Sequence, residues 1–316
     1  MITNKNLVFR KAAVGLGLVA MLMQAHAEIV VILPESGPMA RAGLSIKQGI
    51  MSAYQATDSS IPLKFVNSDE KTISEILKKD VNKKTDMIIG PLARPDVEAI
   101  IKAKPKIPVL ALNEVDMTQK NVWQFSLSKR DDALALIDYI NHDQVKKLYV
   151  VREPGTEAES LTFLNALNSQ YMGQLEPVDE IPRQLDLTDG LALLGTQKWI
   201  NSFRRLPKVN VYTQAIAVEE TKPLLSGIKF CDVPALYSAE WKDVLQAYKQ
   251  NPTTIPFQRL YAFGGDAWHI AEHFVLNPKV KNITFSGRTG NIQIVSDRVD
   301  RTPKCFISNK KSIVAL

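Results

Sequence analysis

Residues 29–56 read IVVILPESGPMARAGLSIKQGIMSAYQA, and this stretch decides the fold class. Ile29-Val30-Val31-Ile32-Leu33 is an uninterrupted run of β-branched and aliphatic side chains closed by Pro34. A strand with one face in water alternates apolar and polar residues; a strand without alternation is covered on both faces, as in parallel sheets. Ser36-Gly37-Pro38 supplies a turn, and residues 42–56 then carry Leu44, Ile46, Ile50, Met51 and Tyr54 at helical intervals. Strand, turn and helix in this order form the first half of a βαβ unit.

The alternation continues outward. Ile61–Val66 reads as a strand and Ile73–Val81 as a helix. Met87–Ile89 reads as a strand closed by Gly90-Pro91. A helix starts near Pro95, a residue suited to a first turn, and Ile107–Leu112 is a fourth strand. A second series follows: strand Val122–Phe125, helix Asp131–Asn141, strand Lys147–Val151, helix Glu157–Ser169 and an extended Pro177–Ile181. Leu187–Phe203 reads as helical and Val209–Thr213 as a strand, with a short helix reaching Leu225. Val233–Tyr237 reads as extended and Glu240–Tyr248 as helical. The expected class is α/β, with two doubly wound parallel-sheet lobes around a cleft. The expected division assigns 28–128 plus roughly 258–285 to lobe 1, and 129–257 plus roughly 286–316 to lobe 2. Ligands in such sheets bind at loops beyond the carboxyl ends of the strands. That rule selects Ser36, Gly37, Pro91, Leu92, Arg94, Asn113, Glu114, Glu153 and Gln214 as cleft residues.

Upstream of Ile29 the chain begins with Lys5, Arg10 and Lys11, and no acid precedes Glu28. The apolar run 12–23 falls short of the roughly 20 residues that a membrane span needs. Ala25 and Ala27 provide the A-x-A pattern, so residues 1–27 read as a Sec-type signal peptide cleaved between Ala27 and Glu28. No Cys stands at that junction to carry a lipid, so release into the periplasm without a membrane anchor is expected. The remaining two cysteines, Cys231 and Cys305, suit one disulfide in an oxidising compartment.

Charge is uneven. Residues 279–316 hold eight basic and two acidic groups, and Lys198, Arg204, Arg205 and Lys208 form a smaller basic group. In an envelope protein such a face suits an acidic protein, lipid headgroups, an anionic wall polymer or simply solvent; nucleic acid is not an expected partner. One catalytic motif stands out. His269-Ile270-Ala271-Glu272-His273 has the H-x-x-E-H spacing of a zinc hydrolase. Only Asp297 and Asp300 follow as carboxylates, however, and Ala267, Ile270, Ala271 and Phe274 make a core-facing stripe on the same helix. Neither a G-x-S-x-G elbow nor a P-loop is present. His142 reads as a polar group at a helix end, and Asp131-Asp132 as helix-start acids. No metal, cofactor or enzymatic activity is expected.

Several phrases taken together carry a resemblance. VILPESGPMARAGLSIKQG (31–49), IIGPLARPDVEAI (88–100), IPVLALN (107–113) and WQFSLSKRDDA (123–133) are similar to segments of the LppC family, within the type 1 periplasmic binding protein superfamily. So are KPLLSGIKFCDVPALYS (222–238), RLYAFGGDAWHI (259–270) and FSGRTGNIQI (285–294). The resemblance implies a non-enzymatic periplasmic protein that regulates peptidoglycan synthesis by contact with a penicillin-binding protein. The alternative it leaves open is a solute-binding protein closing on a small-molecule ligand. Amino-acid binders of this fold resemble one another in placing Ser or Thr after the Gly90 position, where this chain has Pro91-Leu92-Ala93-Arg94-Pro95. Activators in the family resemble one another in being outer-membrane lipoproteins with a preceding helical-repeat domain, and neither feature is legible in this sequence.

Overall fold

The computed structural model describes residues 28–316 apart from 221–222, 280–281, 296–297 and 311; the signal peptide expected over 1–27, with Ala27, lies outside the described residues. The first series folds as β1 (Glu28–Leu33), α1 (Ala40–Ala56), β2 (Leu63–Asn67), α2 (Ile73–Lys79), β3 (Thr85–Ile89), α3 (Arg94–Lys102), β4 (Val109–Ala111) and β5 (Val122–Gln124). The second folds as α4 (Lys129–His142), β6 (Lys147–Arg152), α5 (Glu157–Gln170), β7 (Gln174–Val178), β8 (Asp189–Leu194), α6 (Gln197–Ile200), β9 (Asn210–Tyr212) and β10 (Ile228–Asp232). The chain continues through α7 (Lys242–Gln250), α8 (Ile255–Leu276), β11 (Ile283–Gly287), β12 (Gly290–Val295), β13 (Arg298–Thr302), β14 (Lys304–Ser308) and β15 (Ile313–Ala315).

Both parallel cores have one order. The first sheet runs β2-β1-β3-β4-β5 and the second β7-β6-β8-β9-β10, each doubly wound about its first strand. The architecture is thus α/β in two lobes, each sheet mixed but mostly parallel. Burial explains the sequence pattern. Ile29, Val31 and Leu33 of β1 enter a core shared with α1 and α8, and Val30 and Ile32 enter a separate core shared with α2 and α3. With both faces covered, no polar position is left to alternate.

That same double burial misled the reading of Leu187–Phe203. Its centre is β8, every residue of which is buried. Leu191 and Leu193 pack on one face, Ala192 and Leu194 on the other. Only the four residues of α6 are helical. An apolar run bounded by polar residues does not distinguish strand from helix by period alone. Similarly, Val233–Tyr237 is not extended; the strand is β10, and Pro234–Leu236 forms a 3-10 turn. Toward Leu225, the helical turn covers only Ala215–Ala217.

The C-terminal strands divide at a different place from the expected one. β12 and β13 fall within the expected 286–316 share of lobe 2, yet they extend the first sheet, with Arg298 in register with Gln124 of β5. The reason is their alternate burial: Ile292, Ile294 and Val299 face the core of the first lobe. Only β14 and β15 join the second sheet. α7, also within the expected second-lobe span, packs through Val244 against Ala262 of α8. The disulfide joins Cys231 of β10 to Cys305 of β14, which are directly opposed in register. It closes a 74-residue separation, which in the chain-entropy picture contributes about 4 kcal/mol.

Candidate functional site

The loops selected from the sequence reach the carboxyl ends of the strands, but most of their side chains are engaged within their own lobe. The Ser36 N–H donates to Asp69, and its hydroxyl accepts from Asn67. Gly37 adopts a left-handed φ of 65° in the same exposed turn. Leu92 packs in the core of the first lobe, and the carbonyl of the buried Pro91 accepts from the Leu112 N–H. Asn113 spends its amide on the Leu92 carbonyl and its oxygen on the Glu114 N–H. Glu153 accepts from both the backbone and the hydroxyl of Thr196, the N-cap of α6, at 2.6 and 3.2 Å. Gln214 is only 2 % exposed, and neither its amide oxygen nor its nitrogen has a hydrogen-bond partner.

Of these residues the structure brings Arg94 and Glu114 together, on the wall of a cavity of about 490 Å³ that also includes Arg130, Asp131, Arg298 and Asp300. Asp131 sits in the first turn of α4, where a helix favours an anion. Burial nevertheless pushes its carboxyl up to about 7, Arg301 pulling it down and Glu114 adding repulsion.

A second cavity, of about 640 Å³, lies between the lobes. Its wall includes Leu127, Ala215, Ile216, Val233 and Leu260, with Asp132, Asp232, Arg259 and Arg301 among the charged groups. None of the nine residues selected from the loops lines it. Two buried ion pairs cross the interface here. Arg259 of α8 is bidentate to Asp232 at the end of β10, at 2.8 and 2.7 Å, and donates to the carbonyls of Ala215 and Val218. Arg301 of β13 donates to Asp132 of α4 at 2.5 Å and to the carbonyls of Ser128 and Thr289. The Tyr237 hydroxyl completes the first cluster by donating to Asp232. The carboxylates hold both guanidinium groups, which leaves the buried Arg301 Nε and the carbonyl-bonded Lys129 as the other cationic donors of this wall.

Local sequence pattern does not reveal these four groups; Asp132 reads only as a helix-start acid. The available signal was a lone charge inside an apolar phrase, as in FCDVPAL and FQRLYAF. A charge so placed must be paired to be buried.

The basic C-terminal stretch is likewise not a continuous patch. Arg288 and Arg301 are internal cations; Arg288 is held by Asp243 at 2.9 and 3.0 Å. Arg298 pairs with Asp300 at the surface. In the H-x-x-E-H segment, Ala267, Ile270, Ala271 and Phe274 are buried in the core. His269 lies beside Phe285, and burial holds its imidazole below the usual histidine range. Among the described residues no group of three or more His, Cys, Asp or Glu side chains is placed to share a metal, and no helix is long and apolar enough to cross a membrane.

Comparison with known proteins places these observations in a family. A family model described as "LppC putative lipoprotein" matches residues 12–162 and 202–302. The penicillin-binding protein activator LpoA of Haemophilus ducreyi is 25% identical over 293 residues, covering 84% of this chain and 50% of its own. The chain therefore spans about half the length of that relative. Among solved structures, the LpoA C-domain of Haemophilus influenzae, described as a regulator of PBP1A, superposes with a TM-score of 0.77 at 19% identity, covering 92% of this chain and all of that domain. The branched-chain amino acid substrate-binding protein LivJ of Streptococcus pneumoniae, in complex with isoleucine, superposes at 0.57 and 14% identity, covering 92% of this chain and 99% of its own.

Proposed function

The chain belongs to the LppC family, and from that premise we propose that it acts in the periplasm as a non-enzymatic regulator of peptidoglycan synthesis, through surface contact with a penicillin-binding protein. The observation that carries this reading is the state of the interlobe arginines. A solute binder that grips a carboxylate needs an uncommitted cation or a cluster of free donors in its cleft. Here Arg259 and Arg301 are already held by Asp232 and Asp132, and Asn113 and Glu153 are consumed locally. These pairs tie the two lobes together, which favours a role carried by the outer surface.

The test is direct binding to a purified bifunctional penicillin-binding protein in detergent, by surface plasmon resonance, with glycan-strand synthesis followed in parallel. The expected result is saturable binding and faster synthesis. Absence of both would sink the proposal.

A second reading, a solute-binding protein, draws on the 640 Å³ cavity between the lobes, a volume ordinary for small-ligand sites. A thermal-shift screen against metabolites separates the two. A ligand at about 100 times its Kd stabilises the folded state by about 2.7 kcal/mol, so one compound giving a large saturable shift supports the solute binder.

A further inference from the structure

We infer that the groove between α1 and α7, on the helical face of the first lobe, is a binding site for an uncharged oligosaccharide. This goes beyond the envelope-regulator reading and does not depend on it.

The groove encloses about 700 Å³, and its walls come from α1, α7, the start of α8 and the 251–253 link between the last two. No residue of the interlobe ion pairs contributes to it. Its polar chemistry is neutral. The side-chain amides of Gln48, Gln55, Gln246, Gln250 and Asn251 all line it, and none of the five makes a hydrogen bond with the described residues. Each offers a donor pair and an acceptor within one plane, the pattern that matches neighbouring sugar hydroxyls, which donate and accept at once.

Of the two charged residues of the wall, only Asp243 is committed by an ion pair. The guanidinium of Arg41 lies over the Phe257 ring, 4.3 Å from its centroid, and Asp243 accepts both bonds from Arg288. A cationic ligand therefore finds no free carboxylate, while the stacked Arg41 keeps its N–H edge open to ligand hydroxyls.

The apolar part of the wall suits the same ligand class. Tyr248 is half-buried and its ring stacks on no other side chain, while Leu44 and Met51 provide aliphatic surface along α1. A half-buried, unstacked aromatic ring beside free amides presents one apolar plane for the C–H face of a pyranose and hydrogen-bond partners for its rim. The interlobe cavity has a different composition: largely apolar walls carrying two buried ion pairs together with Lys129, Glu219 and Glu220.

Isothermal titration of the whole chain with chitotetraose, cellotetraose and maltotetraose tests the inference. At least one tetrasaccharide is expected to bind saturably with a stoichiometry of one. Its Kd should change less than about twofold between low and high salt, because no ion pair forms. Replacing two amides, in Gln48→Ala/Gln250→Ala, should weaken binding roughly tenfold or more, at about 1 kcal/mol for each lost hydrogen bond. Tyr248→Ala should weaken it comparably, and circular dichroism should show both variants folded, since all three side chains lie on the groove surface. The inference is overturned if none of the three sugars binds, if both variants bind as the parent does, or if binding collapses with salt. Saturable binding confined to a charged peptide overturns it as well. None of these outcomes bears on synthase binding, which is measured separately.

Discussion

Asp232 accepts four hydrogen bonds, from the Val233 N–H, twice from Arg259 and from the Tyr237 hydroxyl. Its carboxylate is what makes a buried guanidinium tolerable. Asp232→Asn keeps the shape but leaves Arg259 as an uncompensated buried cation, a change that costs about 3–5 kcal/mol in comparable pairs. Urea denaturation is expected to show a loss of that order; a loss below about 1 kcal/mol would mean that water already reaches the pair. Asp131 gives the opposite pH signature from a paired carboxylate. Its folded value of about 7 lies above the ordinary 3.8, so between about pH 4 and 7 the folded state holds a proton that the unfolded state has released. Stability from this group is therefore fully present below pH 4 and is lost as pH rises toward 7. Asp131→Asn removes that dependence, and is expected to be more stable than the parent at pH 8 by on the order of 2–4 kcal/mol. Parallel pH–stability curves for the two proteins would refute the assignment.

Among the elements, the packing of α1 on α8 decides how closely the helical face of the first lobe is held. Glycines make the close approach. A Cβ at Gly49 would strike the Tyr261 carbonyl, and one at Gly264 would strike that of Ile46. Both obstacles are backbone, which cannot rotate aside. Gly49→Ala is expected to destabilise by about 1–3 kcal/mol or more, although the same change at an exposed helical position stabilises. Thermal unfolding checks the sign. The element that escaped the sequence, β8, and the one that did not, β1, differ little in composition. β1 ends in a proline followed by a turn, whereas β8 is preceded by Leu185 and Leu187 and followed by α6, so apolar residues continue at helical intervals through the boundary.

At the scale of the molecule, the two lobes are joined by more than their linking chains. Arg259–Asp232 and Arg301–Asp132 cross between them, the Ala235 N–H donates to the Arg288 carbonyl, and Val233, Ala235, Val244 and Ala262 form an apolar cluster at the junction. Small-angle scattering of an Asp132→Asn/Asp232→Asn double variant is expected to give a larger radius of gyration than the parent, because both cross-lobe charge pairs are lost together. An unchanged profile would show that the apolar cluster alone holds the lobes. The same linkage is why a surface role is favoured over hinge closure on a ligand: closing or opening around a solute would have to break two buried pairs.

The sequence by itself determined the α/β class, the two-lobed repeat, the position of the first-lobe strands and helices, and the family; the structure added the bond between the two cysteines. Those properties rest on local periodicity, turn chemistry and phrases that persist in order along the chain. Tertiary structure alone decided the rest. β12 and β13 belong to the first sheet because of which core their alternate residues meet. The cleft charges are neutralised by partners 27 and 169 residues away. Of the loop residues read as a binding site, Asn113 and Glu153 bond to neighbours in their own lobe, whereas Arg94 and Glu114 line a cavity. Long-range pairing leaves no trace in local pattern: an arginine that meets an aspartate across a lobe boundary has the same letter as one that meets solvent.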